Sequence, residues 1–290
     1  MTRILAATDL SAASHNAVKR AARLAAERDG QLHLAHAISP GPFDDIQRLL
    51  APDSPPLAVA LANDASRQLQ DIAHELAHTA THCQVIFGKP VDSLLDHADI
   101  IAADLLVVGS RGEGLLRQLT IGSTALRLLR KMRCPALIVK NPAAAPYRRA
   151  LVAMDFSPAA LAALRLVRQI APEAEQVLLH AIEVPFERKM HYAGVKRAII
   201  QQYRSEAQIK AMQQLHRLVE IEQLPPAAAH LFALPGNPTD LILQQARVQD
   251  CDLIAVGKRG LHIVEELLLG STTRHLLAEG KCDVLVASDG

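Results

Sequence analysis

The feature that most constrains this 290-residue chain is a stretch that occurs twice. GSRGEGLLRQLTIGST runs over 109–124, and GKRGLHIVEELLLGST runs over 257–272. Each follows an apolar run, LLVVG ending at Gly109 or LIAVG ending at Gly257, of the kind that makes a strand buried on both faces. Each then gives Gly, two residues, Gly, nine residues and Gly-Ser-Thr, and leads into a helix-like segment. Glycine lets the backbone turn sharply and approach a ligand closely, having no Cβ in the way. Unpaired amides at a helix start make a ready anion site. The pattern reads as a phosphate cradle, present twice. It is not a Walker loop, and Arg117 stands where a dinucleotide fingerprint begun by Gly112 and Gly114 needs its third glycine.

The repetition extends well beyond the cradles. RILAAT (3–8) matches RALVAM (149–154), and Asp9-Leu10-Ser11 matches Asp155-Phe156-Ser157. HLAHAIS (33–39), in the second strand expected over 31–38, matches VLLHAIEV (177–184), aligning His36 with His180. Gly88-Lys89-Pro90 and Gly236-Asn237-Pro238 lie 148 positions apart, the same offset as the cradle glycines. Duplication explains that constancy. Within each half, short apolar runs alternate with helical stretches, which predicts an α/β fold with parallel strands. Ser11 is placed to cap a first helix that Gly30 closes; 39–56 reads as a surface loop, and a long helix is expected from Leu57 to Ala80. NPAAAPYRR (141–149) reads as the linker, giving domains over 1–141 and 148–290. The least matched region, 186–224, is charged and helical; it reads as an amphipathic cover for one sheet face, with a partner surface as the second reading.

Composition narrows the function classes. Half the residues are hydrophobic and only 3% are aromatic, so the cores must be built from Ala, Val, Leu and Ile. A net charge of +1 supplies no global field to recruit nucleic acid or an anionic membrane. No apolar run approaches membrane-spanning length, and MTRILAATDLS reads as a first strand and turn rather than a signal peptide. The four cysteines form no CxxC pair and read as reduced core residues of a cytoplasmic protein.

These motifs together resemble the universal stress protein family. The strand–Asp–x–Ser opening, the LxHAI second strand, the GxP turn and the GxxG–nine–GST block carry the resemblance, which covers nearly the whole chain twice. It implies two tandem Rossmann-like domains of the adenine nucleotide alpha hydrolase-like kind, each a five-stranded parallel sheet with helices on both faces. It also implies binding of ATP, or of ADP or AMP, with or without Mg, at the crevice where strand order reverses. By that analogy the nucleotide-binding residues are Asp9, Gly109, Gly112, Gly122, Ser123 and Thr124 in the first half. In the second they are Asp155, Gly257, Gly260, Gly270, Ser271 and Thr272. Arg111 and Lys258, lying between the glycines, are placed to screen phosphate charge. Each has a blander reading: the aspartates as turn residues, the hydroxyls as N-caps, the cations as solvated loop residues. Arg117-Gln118 in the first cradle is replaced by Glu265-Glu266 in the second, so the first is expected to be the better nucleotide site.

Other chemistry is sparse. His74, His78 and His82 are spaced i, i+4 and i+8, with His82 past the expected helix end at Ala80; this leaves His74 and His78 as a weak metal pattern that a polar outer face explains better. There is no GxSxG elbow and no HExxH site, and the chain is not expected to be an enzyme. The leading expectation is a nucleotide-binding stress-response sensor or regulator acting on unknown protein partners. A nucleotide-free scaffold with relic cradles and a slow ATPase are the alternatives. ALIVK (136–140) and VLVAS (284–288) read as apolar edge strands, which suggests that the two halves pair and leaves a homodimer open.

Overall fold

The apolar runs of the first half become five parallel strands in the computed structural model, which describes residues 3–39, 41, 46, 56–76, 80–110, 122–143, 145–182, 195–258 and 269–288. They are β1 (Arg3–Ala7), β2 (Gln31–Ile38), β3 (Thr81–Phe87), β4 (Leu105–Gly109) and β5 (Ala136–Val139), in the order β3-β2-β1-β4-β5. Ile4 of β1 faces Leu32 of β2 on one side and Leu105 of β4 on the other. Leu5, Leu106 and Leu137 are fully buried, as strands covered on both faces require. The chain winds outward through β2 and β3, then crosses back past β1 to β4. Right-handed crossovers therefore put α1 (Ala12–Ala26) and α2 (Leu57–Leu76) on one face. They put α3 (Pro90–Ile100) and α4 (Ser123–Lys131) on the other.

The second half repeats this plan. Strands β6 (Arg149–Ala153), β7 (Glu175–Ile182), β8 (Ala229–Pro235), β9 (Leu253–Gly257) and β10 (Asp283–Ala287) run parallel in the order β8-β7-β6-β9-β10. Its helices are α5 (Pro158–Ile170), α6 (Arg197–Ile221), α7 (Pro238–Val248) and α8 (Ser271–Glu279). The 25-residue α6 lies along β8 and β7, burying Ile200, Ala211, Leu215 and Leu218. Its Gln208 donates from Nε2 to the Ala233 carbonyl of β8 at 3.0 Å. The compact units are Met1–Pro146 and Tyr147–Asp289. Arg20 donates to the Ala145 carbonyl at 2.7 Å in the first, and the buried Tyr147 hydroxyl donates to Asp283 at 2.7 Å in the second.

Helix ends follow a local rule in which the left-handed residue and the closing N–H belong to successive residues. The residue that turns left-handed after α1 is Asp29 (φ 52°), not Gly30, whose N–H closes the helix on Ala25 O at 2.8 Å. The same six-to-one closure ends α3 at Ala102, α6 at Gln223 and α7 at Asp250. A helix can stop without glycine, because one left-handed residue costs only about 1–2 kcal/mol, which the satisfied carbonyls offset. The expected histidine face also changes. His74 lies in the last turn of α2, His78 is outside the described residues, and His82 is a β3 residue. Helical spacing does not relate His82 to His74, and no group of three metal-capable side chains occurs among the described residues.

His82 instead stacks on His33, its register partner across β2 and β3, with ring centroids 4.8 Å apart. Burial, then the neighbouring His82, His97 and Arg3, hold His33 below the ordinary imidazole value of 6.5; burial lowers His97 as well. The Nε2 atoms of His33 and His97 are both buried without a hydrogen-bond partner. A group with a depressed folded-state value is protonated more readily in the unfolded chain. Stability is therefore full above about pH 6.5 and falls as the pH drops through the lower folded values. Urea unfolding at about pH 7.5 and about pH 5.5 should show this loss, and His33→Val should reduce it. Valine already stands at the matching place, Val177.

Candidate functional site

Strand order decides where a ligand can sit. Connections leave β1 and β4 in opposite directions, so a crevice opens beyond their carboxyl ends. A cavity of about 330 Å³ lies there in the first unit. Its wall includes Thr8 and Asp9 after β1, His36 at the end of β2, Gly109 at the end of β4, and Gly122, Ser123 and Thr124 at the start of α4. Leu94 of α3 and Leu128 of α4 give it an apolar side. That combination of apolar wall and a few convergent polar groups is typical of a small-molecule site.

Each polar group is held by its own local structure. Asp9 Oδ1 accepts the Ser11 N–H at 3.1 Å and the Ser11 hydroxyl at 2.6 Å, making a tight turn. Leu10 sits at φ 65° inside that turn, and its N–H donates to Thr8 Oγ1 at 3.0 Å. The Thr8 and Ser14 hydroxyls, both buried, lie 2.8 Å apart. Ser11 caps α1 by accepting from Ser14 N, as its position predicted. His36 Nδ1 lies 2.9 Å from the Thr8 carbonyl oxygen, so its ring is fixed beside the crevice. A left-handed non-glycine residue is strain retained at a defined spot, here the lip of the cavity.

The cradle segment is anchored at both of its described ends. Ser110 donates to Val139 O at 2.9 Å and accepts from Gly122 N at 2.8 Å, which fixes the start of α4 against the end of β4. Helices α1, α5 and α7 have side-chain caps, from Ser11, Ser157 and Asn237. Helix α4 begins at Gly122, which has no side chain to offer. Its first-turn amides therefore point into the crevice without a capping oxygen, and the helix dipole adds to their pull on an anion. Arg127, one turn on, donates to Ser123 Oγ at 3.1 Å and to the Ser123 carbonyl at 3.3 Å.

The second unit keeps this framework and changes its lining. Asp155 Oδ1 accepts from Ser157 N at 3.0 Å, and Phe156 takes the left-handed place of Leu10 at φ 62°. His180 Nδ1 lies 2.7 Å from Met154 O, with its ring 4.8 Å from that of Phe156. Lys258 repeats the anchoring of Ser110, donating to Ala287 O at 2.7 Å and accepting from Gly270 N at 3.2 Å. Gly257 and Gly270 hold the strand-end and helix-start places, with Ser271 and Thr272 in the first turn of α8. Met154 and Ala160, however, replace the hydroxyls of Thr8 and Ser14, and both are buried. Lys258 is only 5% exposed. Thr273 stands where the first unit has Ala125, and its hydroxyl donates to Gly257 O at 3.2 Å.

Of the residues singled out from sequence, Asp9, Gly109, Gly122, Ser123 and Thr124 converge on the one cavity. Arg111, Gly112 and Gly260 lie outside the described residues, as do Arg117-Gln118 and Glu265-Glu266. Thr8, Ser14, Leu94, Leu128 and Arg127 were not singled out. Thr8 and Ser14 had one available signal: their hydroxyls flank the Asp9-Leu10-Ser11 turn and are missing from the otherwise parallel turn of the second half.

Comparison with known proteins agrees on architecture. The universal stress protein family profile matches residues 1–140 and again 146–288. A universal stress protein of Mycobacterium tuberculosis is 26% identical over 306 aligned positions, covering 99% of this chain and 96% of the relative. One from Methanocaldococcus jannaschii is 28% identical over 48% of this chain and 82% of its own length. The crystal structure of a universal stress protein from Archaeoglobus fulgidus superimposes with a TM-score of 0.68 at 18% identity, over 99% of this chain and 98% of that one. That likeness concerns the fold. No helix among the described residues is long and apolar enough to cross a membrane.

Proposed function

We propose that this chain, a tandem member of the universal stress protein family, binds an adenine nucleotide in its first unit and uses it as a regulatory signal. The observation that carries this reading is the uncapped start of α4 facing a cavity at the strand-order reversal. Phosphates would take the Gly122–Thr124 amides and hydroxyls, with Gly109 permitting close backbone approach. Asp9 would accept hydroxyl protons of the ribose through its carboxylate. The apolar side at Leu94 and Leu128 would take the base. Mg, when present, would supply charge neutralisation at the phosphates. Binding would stabilise the start of α4, and so bias the surface it presents to a protein partner. The chain acts in this reading as a binding protein rather than an enzyme. Its four thiol cysteines fit the reducing cytoplasm.

The second unit supports a different role. Loss of two crevice hydroxyls to Met154 and Ala160, and the burial of Lys258, favour a nucleotide-free module for structure or partner contact. Calorimetric titration of the intact chain with MgATP should give one equivalent bound. No heat, together with native mass spectra free of prebound nucleotide, would replace this reading with the scaffold one. Phosphate release that persists through further purification and disappears in Gly122→Glu would instead make the protein a slow ATPase.

A further inference from the structure

At the opposite end of the second sheet, away from its cradle, two cysteines meet. Cys251 follows the left-handed Asp250 that ends α7, and Cys282 immediately precedes β10. They are 31 positions apart in sequence, but β9 and β10 are direct neighbours with Asp283 opposite Leu253. A strand spacing of about 4.8 Å and a rise of about 3.3 Å per residue, offset by one residue, put their Cα atoms about 6 Å apart. That lies inside the roughly 4.4–6.8 Å window for a disulfide. Cys282 Sγ is 2.9 Å from the Cys251 carbonyl oxygen. Both residues line one cavity of about 260 Å³, with Leu243 and Ala246 of α7, Ile254 of β9 and Gly280. The cavity offers room for the side chains to rotate toward each other. The matching positions of the first unit hold Ala103 and Cys134, so the pair belongs to the second unit alone.

From this juxtaposition we infer that Cys251 and Cys282 form a reversible dithiol–disulfide pair, oxidised by low-molecular-weight disulfides. The Cys282 thiolate, on the more exposed residue, attacks one sulfur of glutathione disulfide and expels a glutathione thiolate. The Cys251 thiolate then attacks the Cys282 sulfur of the mixed disulfide and expels the second. The protons lost by the two protein thiols go to the two leaving thiolates, so the protein loses two hydrogens and two glutathione molecules are released. The bond ties the turn after α7 to the residue just before β10. Burial, followed by repulsion from Cys282, pushes the Cys251 thiol up to about 12. Closure is therefore slow at neutral pH and speeds up as the pH rises, because only the thiolate attacks.

The test treats the intact chain with glutathione disulfide at about pH 8.5 and maps it with trypsin without reduction. Cleavage after Arg247, Lys258 and Lys281 leaves Cys251 in peptide 248–258 and Cys282 in peptide 282–290. The expected product is the two peptides joined, lighter than the sum of their masses by two hydrogens and restored by dithiothreitol. The Cys134→Ser variant should give the same product, and Cys251→Ser should give only a glutathione adduct on Cys282. Separate peptides in the wild type, whether unmodified or each carrying glutathione, would overturn the inference, as would a joined product involving Cys83 or Cys134.

Discussion

Gly122→Glu should abolish nucleotide binding by the first unit while leaving the protein folded. Gly122 has ordinary extended dihedrals (φ −70°, ψ 146°), which any residue adopts. A glutamate there places a carboxylate beside the first-turn amides of α4, where it acts as a cap and takes the anion's place. At about 5 Å from a phosphate, with an effective dielectric near 20, the added repulsion is about 3 kcal/mol. Affinity should fall by more than about 100-fold. The melting temperature should hold or rise slightly. Gly270→Glu, in the second unit, should leave the stoichiometry of ATP binding unchanged. Calorimetry on the two variants separates the cases. Unaltered affinity in Gly122→Glu would remove the cradle from the binding site, and loss in Gly270→Glu would move the site to the other unit.

Gly88→Ala should be the more damaging of two matched substitutions in the GxP turns. Gly88 and Gly236 sit at φ 145° and 148°, where an L side chain is strained whatever space surrounds it. That strain alone costs about 1–3 kcal/mol at either place. The neighbours then differ. A Cβ at position 88 would lie 2.3 Å from Ser93 Oγ, whose hydroxyl donates to Lys89 O at 2.8 Å across the first turn of α3. At position 236 the nearest atom is Leu241 Cδ1 at 3.3 Å, the end of a side chain that can shift. Gly88→Ala should therefore cost about 3 kcal/mol or more, and Gly236→Ala less. Denaturant unfolding measures both. Ser93→Ala in the Gly88→Ala background should recover the difference between them but not the strain they share.

Much of the fold was legible because its signals are short-range. The apolar runs gave the strands to within a residue or two, and Ser11 and Ser157 marked the starts of α1 and α5 by the oxygen a helix start needs. The GxP turns were readable because only glycine tolerates φ near 145°. Where a local rule has more than one solution, residue type alone does not decide. Asp29 is the left-handed residue before Gly30, whose N–H still closes α1, and the i+8 spacing of His82 runs past the end of the helix into β3. The candidate site was half visible. Asp9 and the Gly-Ser-Thr at α4 carried their own patterns, whereas Thr8, Ser14, Leu94 and Leu128 are ordinary residues that become a site only by arriving at one place.

The sequence by itself determined the elements, their duplication and the chemistry stationed at their ends, because periodicity, capping and turn geometry act within a few residues. Strand order was left to the tertiary structure. Only the folded sheet brings Asp9 beside Gly122, stacks His33 on His82, and sets Cys282 against Cys251. Each of these encounters joins residues tens of positions apart or more through burial of apolar faces, which is non-directional and leaves no pattern at either partner.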